Sequence, residues 1–379
     1  MVRSPKRALG AAAAGAVVIL AAVATLGAAG ALSASPPPLT TVADGVNNPR
    51  GLELTSNGLY VAAAGKGGKT CKKGGPGGVI CAGTTSKVFE VNLTTGTRKA
   101  IAKHLPSYAG ANGAFAVGDD DVSVTPGGGV FGIETFERRP VLKVLPPKKR
   151  KLNGRLLHFT KKGKVERAGH ISKFERKHDP DGQGFDSDPY GVFAASKNTQ
   201  YVVDAAGNDV LRVHKGHIKL VAVLANIGAN QAVPTSITRG PNGDLFVGEF
   251  IGETKPTIGH GRVIEINPST GTQTVYARGL NRITGLSFDL AGTLFVTELT
   301  TSKLTAKSHG AVIEVPTSGP KCTVVGSSQL IFPAGGVVTA DGATLYVSNF
   351  SVLPGATDPS GQFGGAHGQV VSLPVTGCR

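Results

Sequence analysis

Six times along the chain one short pattern returns: an apolar strand, a turn of Gly, Asn or Asp, and a second strand with an aromatic residue near its middle. The copies run from Arg50-Gly51-Leu52 to Leu59-Tyr60-Val61, Asp120-Asp121-Val122 to Val130-Phe131, and Tyr190-Gly191-Val192 to Tyr201-Val202. They continue from Thr235-Ser236-Ile237 to Leu245-Phe246-Val247, Thr284-Gly285-Leu286 to Leu294-Phe295-Val296, and Gly335-Gly336-Val337 to Leu345-Tyr346-Val347. After a variable loop each is followed by a third strand (87–91, 155–159, 210–213, 262–266, 311–315, 369–373), and usually by a fourth. A lone four-stranded sheet leaves its faces and edges open, whereas radial repetition buries each face against a neighbour. The repeat therefore predicts an all-β fold, a six-bladed β-propeller of four-stranded blades. Abundant Gly (54 residues) and the lack of helix-period apolar stripes in the repeat region fit many short strands joined by turns.

The sixth copy ends soon after its third strand and so lacks an outer one. The segment Ala43-Asp44-Gly45-Val46-Asn47 reads like Ala277-Arg278-Gly279-Leu280-Asn281, which closes the fourth copy. The N-terminal strand is thus expected to complete the last blade.

Ahead of that strand, Arg3, Lys6 and Arg7 precede an uncharged stretch from Ala8 to Ala31 that ends in Ala29-Gly30-Ala31, followed by Pro36-Pro37-Pro38. A basic start, an apolar stretch and a small-residue cleavage pattern predict a secretory signal over 1–31, a linker over 32–38 and the propeller over 39–379. An apolar stretch of roughly 20 residues also suffices for a retained membrane anchor. Both alternatives place the propeller outside the cytoplasm, secreted or tethered to the outer side of the membrane. An even number of cysteines fits an oxidising compartment, and the pairs expected are Cys71 with Cys81 in a Gly/Lys-rich loop and Cys322 with Cys378 near the closing region.

Several of these segments resemble the ScyD/ScyE family of exported propeller proteins: Ala43-Asp44-Gly45-Val46-Asn47-Asn48-Pro49-Arg50-Gly51-Leu52, Val233-Pro234-Thr235-Ser236-Ile237, Gly240-Pro241-Asn242-Gly243-Asp244-Leu245-Phe246-Val247-Gly248-Glu249, and the Cys71 to Cys81 loop. The resemblance covers nearly all of the chain after the leader, apart from a long basic insert in the second unit. More distantly the repeat is similar to NHL and gluconolactonase-type propellers. The resemblance implies the fold and export; it brings no catalytic motif with it.

In a four-stranded blade the loop entering the first strand and the loop between strands two and three lie on one face. Here the second-to-third loops are long in every unit but the third, so one face is loop-built, and function concentrates on such loops. Polar residues form two columns there. The second strands end in Ala63, Glu134, Asp204, Glu249, Glu298 and Asn349, and the strand starts add Asn48, Asp120, Asp121, Asp188 and Asn281. Four acids and an amide around one rim make a candidate site for Ca²⁺, which takes several oxygen ligands; the plainer alternative is that each acid caps its own loop. Asp121 stands where other units have Gly or Ser, which makes it the candidate base if the rim is catalytic. A third column, His260, His309 and His367, reads as turn-associated surface histidine. Metalloprotease helices, nucleophile elbows, Walker loops and dinucleotide fingerprints do not occur.

Charge is uneven. Between residues 137 and 177 there are fifteen Lys or Arg against three Glu, a net of +12 in a chain of +15. Lys148, Lys149, Arg150 and Lys151 are the densest run. Outside the cell such a loop suits an anionic cell-wall polymer, acidic polysaccharide or lipid headgroups; export argues against nucleic acid. The expected function is a monomeric, non-catalytic binding or scaffold protein. The alternative is a Ca²⁺-assisted lactone or ester hydrolase holding its metal with Glu134, Asp204, Glu249, Glu298 and Asn349.

Overall fold

The computed structural model describes residues 38–379, except 74–77, 139, 253–257, 303–307, 326–328, 357–364 and 376–379. The expected leader at 1–31 and nearly all of the linker therefore lie outside the described residues, as does Cys378. No described helix is long and apolar enough to cross a membrane.

Residues 37–379 form one compact unit of six antiparallel sheets. Blade two shows the plan: Asp119–Val124 innermost, then Val130–Glu134, Arg155–Phe159 and, outermost, Val165–Gly169. Each second strand is apolar at successive positions because successive side chains point to opposite faces and both faces are buried. Leu59, Val61 and Ala63 pack toward blade six, while Tyr60 and Ala62 pack toward blade two. The same division sends Leu245 and Val247 toward blade three and Phe246 toward blade five. Six apolar clusters result, one at every interface between neighbouring blades, including blade six with blade one.

Ring closure follows the sequence expectation, three to four residues early. Thr40–Ala43 pairs antiparallel with Gln369–Pro374, Thr40 opposite Ser372 and Ala43 opposite Val370. The chain that follows is tied down as well: Val46 N–H donates to Gly368 O at 2.8 Å, Asn47 Oδ1 accepts from Gly355 N–H at 2.7 Å, and His367 Nε2 meets Asp44 at 2.6 Å. The innermost strands approach too closely for side chains at some positions. A Cβ on Gly335 would lie 2.6 Å from Arg50 O, and one on Gly51 would lie within 1.8 Å of the Asp121 carboxylate.

Three local features depart from the sequence reading. The Gly/Lys-rich loop is a β-hairpin, Thr70–Lys73 against the N-terminal half of Val79–Val91, with Cys71 directly opposite and bonded to Cys81. Its polar residues gave no strand pattern; the disulfide and continuity with the blade's third strand hold it in place. The basic insert of blade two forms a short helical turn, Val141–Val144, and a one-turn helix, Pro147–Arg150. Val141 and Leu145 pack there against Ala82 of the blade-one hairpin and Tyr108 of the paired strand Arg98–Ala109. Finally, an eight-residue helix, Ile171–His178, links blades two and three and anchors itself by Ile171 in the apolar cluster between them. Cys322 is disulfide-bonded; its expected partner lies outside the described residues.

Candidate functional site

The column of acids at the ends of the second strands lies on the loop-bearing face, and its side chains are buried. Among the described residues they do not gather into a cluster of three or more. Asp204 accepts from Ser187 Oγ at 2.6 Å, Asp188 N–H at 2.6 Å and Gly207 N–H at 3.2 Å. Glu298 accepts from the backbone and side chain of Asn281, at 2.7 and 3.2 Å. Glu249 is held by both ends of the Arg262 guanidinium, at 2.5 and 2.7 Å. Asn349 Oδ1 accepts from Ile331 and Phe350 N–H. Of the five residues expected to form a common metal centre, Asp204, Glu249, Glu298 and Asn349 are instead held separately, each by partners of its own, and Glu134 stands apart from them. Equivalent positions around a ring are separated by the width of a blade, and nearby donors, backbone for Asp204 and Glu298 and the Arg262 side chain for Glu249, reach these acids first. Glu134 alone among these has no hydrogen-bond partner; it is buried beside Asp119, whose oxygens are likewise unpartnered. Burial and the Asp119 and Asp120 charges push its carboxyl well above the usual range, while Lys149 pulls it back.

The opening column has similar roles. Asn48 Oδ1 accepts from Ala116 N–H, and its amide donates to Gly65 O and Gly113 O. Asp188 accepts from Thr135 Oγ1 at 2.7 Å. Asp121 accepts from Val122 N–H with one oxygen and from Val192 N–H of the next blade with the other, each at 2.9 Å. It is a stitch between the innermost strands of blades two and three, filling the space that Gly51 leaves. The three histidines stay apart, His367 on Asp44 and His309 in a bridge to Ile331.

Two cavities carry chemistry. The first is the central channel, about 650 Å³, lined by the innermost strands of the blades; Arg50, Glu53, Asp120, Asp121 and Tyr190 are its charged or titratable residues near the loop face. Arg50 Nε lies 3.5 Å from Asp120. Burial pushes the Glu53 carboxyl up to about 8, helped by the charge of Asp121. Asp120 is also raised to about 8 by burial, which outweighs Arg50. Asp121 is raised to about 7, again by burial, against its two N–H donors.

The second is a pocket of about 700 Å³ in blade two, walled by the basic insert on one side and helix Ile171–His178 on the other. Arg138, Arg150, Lys151, Arg155, Lys173 and Arg176 line it, with Glu137 as its one acid. Phe136 and Phe185 meet edge to face at 5.4 Å, and the Arg176 guanidinium stacks 3.7 Å over Phe185. Asn153 braces the insert, accepting from Glu137 N–H at 2.8 Å and donating to Glu137 O at 3.1 Å. Among the described residues Lys151, Arg155 and Lys173 make no ion pair, whereas Arg138 binds Asp186 at 2.8 Å. The concentration of positive charge registers on His170, which burial and then Arg155, Lys173, Arg167 and Arg176 push down to about 4.

The basic run seen in the sequence is divided by its helical turn. Arg150 and Lys151 line the pocket; Lys148 does not, and Lys149 leans toward buried Glu134. Arg150 spends part of its donor fork on Leu145 O and Lys143 O, at 2.6 and 2.7 Å. Arg155, Lys173 and Arg176 were not legible as partners of that run, since they come from a strand and a helix brought alongside by the fold.

The chain is a six-bladed β-propeller with an acidic central channel and one cationic pocket on its loop face. Among solved structures it is similar to regucalcin of Agrobacterium tumefaciens, a calcium-binding protein, with a TM-score of 0.54 at 12% identity, covering 90% of this chain and 96% of that one. A protein of unknown function from Bacteroides thetaiotaomicron gives a TM-score of 0.54 at 10% identity, over 89% of this chain and 72% of the other. Virginiamycin B lyase of Staphylococcus aureus follows with a TM-score of 0.45 at 15% identity, covering 82% and 81%. At these identities the likeness concerns the fold alone. No protein-family model and no curated protein matches the chain.

Proposed function

We propose that this is an extracellular, non-catalytic binding propeller of ScyD/ScyE type that holds an anionic cell-surface polymer in the cationic pocket of blade two. The observation that supports this reading is the pocket itself: six Lys or Arg side chains converge on one concavity with a single acid among them. Cations from two separate elements face each other across a gap floored by Phe136 and Phe185. Such a groove suits a chain of spaced carboxylate, sulfate or phosphate groups, with guanidinium forks giving two-point contacts. The export leader expected over 1–31 supports this reading, since such polymers occur outside the cell.

The hydrolase alternative draws on Asp121, which lines the channel with its carboxyl near 7. It is weakened by the use of both Asp121 oxygens as backbone acceptors and by the separate anchoring of the rim acids.

The test is binding of a soluble acidic polysaccharide such as dextran sulfate, measured by calorimetry across a salt series. Affinity is expected to fall steeply with salt because the contacts are ionic and partly exposed. Arg155→Ala with Lys173→Ala is expected to weaken binding by roughly tenfold or more, one charge-assisted contact being worth about that much. Lys161→Ala with Lys162→Ala, on an exposed turn of the same blade, removes equal charge and is expected to leave affinity nearly unchanged. Equal losses in the two double variants, or binding to anionic vesicles but not to the polysaccharide, would contradict the assignment.

A further inference from the structure

A second group of charges on the loop face has the opposite sign. Helix Ile171–His178 ends at Asp179, in the left-handed conformation with φ of 43°, and the chain continues Pro180-Asp181-Gly182-Gln183-Gly184. Acids at alternate positions on a Gly-rich turn are how oxygen-rich loops present carboxylates to hard cations. Carboxylate oxygens of Glu175, Asp179 and Asp181 lie within 4.8 Å of one another, the only such group of three or more acids, His or Cys among the described residues. Oxygens that share a Ca²⁺ at about 2.3–2.6 Å each must be no farther apart than roughly 5 Å.

The independent observation is what stands behind that loop. Glu175 is fully buried and neither of its oxygens has a hydrogen-bond partner; the same holds for Asp209 on the adjoining strand Asp209–His214. Asp204 lies beside them, already saturated by its own donors. Among the described residues no Lys, Arg or His pairs with any of these five acids, in a chain whose net charge is +15. Buried carboxylates without donors are unfavourable by several kcal/mol unless a proton or a cation neutralises them. A cation of two charges offsets this; the all-oxygen donor set excludes metals that require thiolate or imidazole.

We propose that Glu175, Asp179 and Asp181 bind a calcium ion, with Asp209 as the buried counter-charge behind them. None of these residues lines the central channel or belongs to the rim column, so the site is separate from both. Its effect is to clip the end of the helix and the 179–184 turn onto the neck of the third blade's hairpin, where Asn208 Nδ2 already donates to Asp181 at 2.8 Å. The same helix supplies Lys173 and Arg176 to the cationic pocket, so the clip fixes one of that pocket's walls.

The experiment uses the full mature chain stripped with a chelator, then titrated with calcium and, separately, magnesium by calorimetry and thermal unfolding. One calcium site is expected, with a dissociation constant between about 10 µM and 1 mM, the span from weak sensors to extracellular modules. A rise of several degrees in the unfolding midpoint should accompany it, and magnesium should bind far more weakly. Glu175→Gln and Asp181→Asn are each expected to weaken binding at least tenfold. Both should fold, because each removes a repelling charge; Glu175→Gln should melt at or above the temperature of the calcium-free parent. Glu166→Gln, an acid on the outer strand of blade two, should bind calcium as the parent does. No calcium heat and no midpoint shift at about 5 mM, well above the expected dissociation constant, would overturn the proposal. So would unchanged affinity in Glu175→Gln and Asp181→Asn.

Discussion

A chain beginning at residue 44 should fail to fold as a stable propeller, whereas one beginning at residue 37 should unfold at the same denaturant concentration as one beginning at residue 32. The difference is one strand. Thr40–Ala43 is the outer strand of blade six, and Ala43, with Val42 against it, belongs to the cluster that joins blade six to blade one. Its removal strips the ladder from Gln369–Pro374 and opens Val370 and Val371, both buried, to water. Three lost ladder pairs and the exposed apolar surface add up to on the order of 5 kcal/mol, comparable with the whole stability of an ordinary domain. A ring has no second route to closure, so the loss falls on all six interfaces. Urea unfolding followed by near-ultraviolet dichroism would decide it; equal midpoints for the two truncations would show that the ring does not depend on its latch.

The second large effect is expected from Arg262→Ala. Glu249 is fully buried, and its carboxylate depends on the two-pronged contact from Arg262, itself only 13% exposed. Burial already raises the Glu249 carboxyl, and Arg262 is the first influence holding it down. Taking the guanidinium away leaves a charge buried alone, for which the typical loss is about 3–5 kcal/mol. Adding Glu249→Gln should recover a substantial part of that loss, because the amide carries no charge to desolvate. Denaturant midpoints for the two single variants and the double variant form the cycle. A double variant no more stable than Arg262→Ala would mean that Arg262 acts through packing or through its bond to Ala225 O, not through Glu249.

The blades were legible because burial on both faces leaves no polar gap along a second strand, as in Leu294-Phe295-Val296. The latch was legible because its residues repeat the close of blade four. The helix Ile171–His178 was not, since only Ile171 and the neighbouring Ser172 and Glu175 are buried in it and eight residues hold barely two turns of period. Nor was the cationic pocket legible as a pocket. Lys148 to Lys151 stood out as a run, but four of the pocket's six cations, Arg138, Arg155, Lys173 and Arg176, lie outside it, and of the run only Arg150 and Lys151 line the pocket. The rim acids teach a related lesson. Alignment of a repeat shows which residues are equivalent around a ring; it does not bring them together. The acids that do come together, Glu175, Asp179 and Asp181, occupy a connection outside the repeat, where no column could single them out.

The claim on which the functional account rests is that the groove of blade two is where the partner sits. Hydrogen exchange of a chain beginning at residue 32, with and without saturating dextran sulfate, at low salt, reads the contact surface directly. The account predicts slowed exchange in residues 136–155 and 170–178, with the 64–86 hairpin and the innermost strands unchanged. Protection confined to the central channel, or spread evenly over the surface lysines, would contradict it.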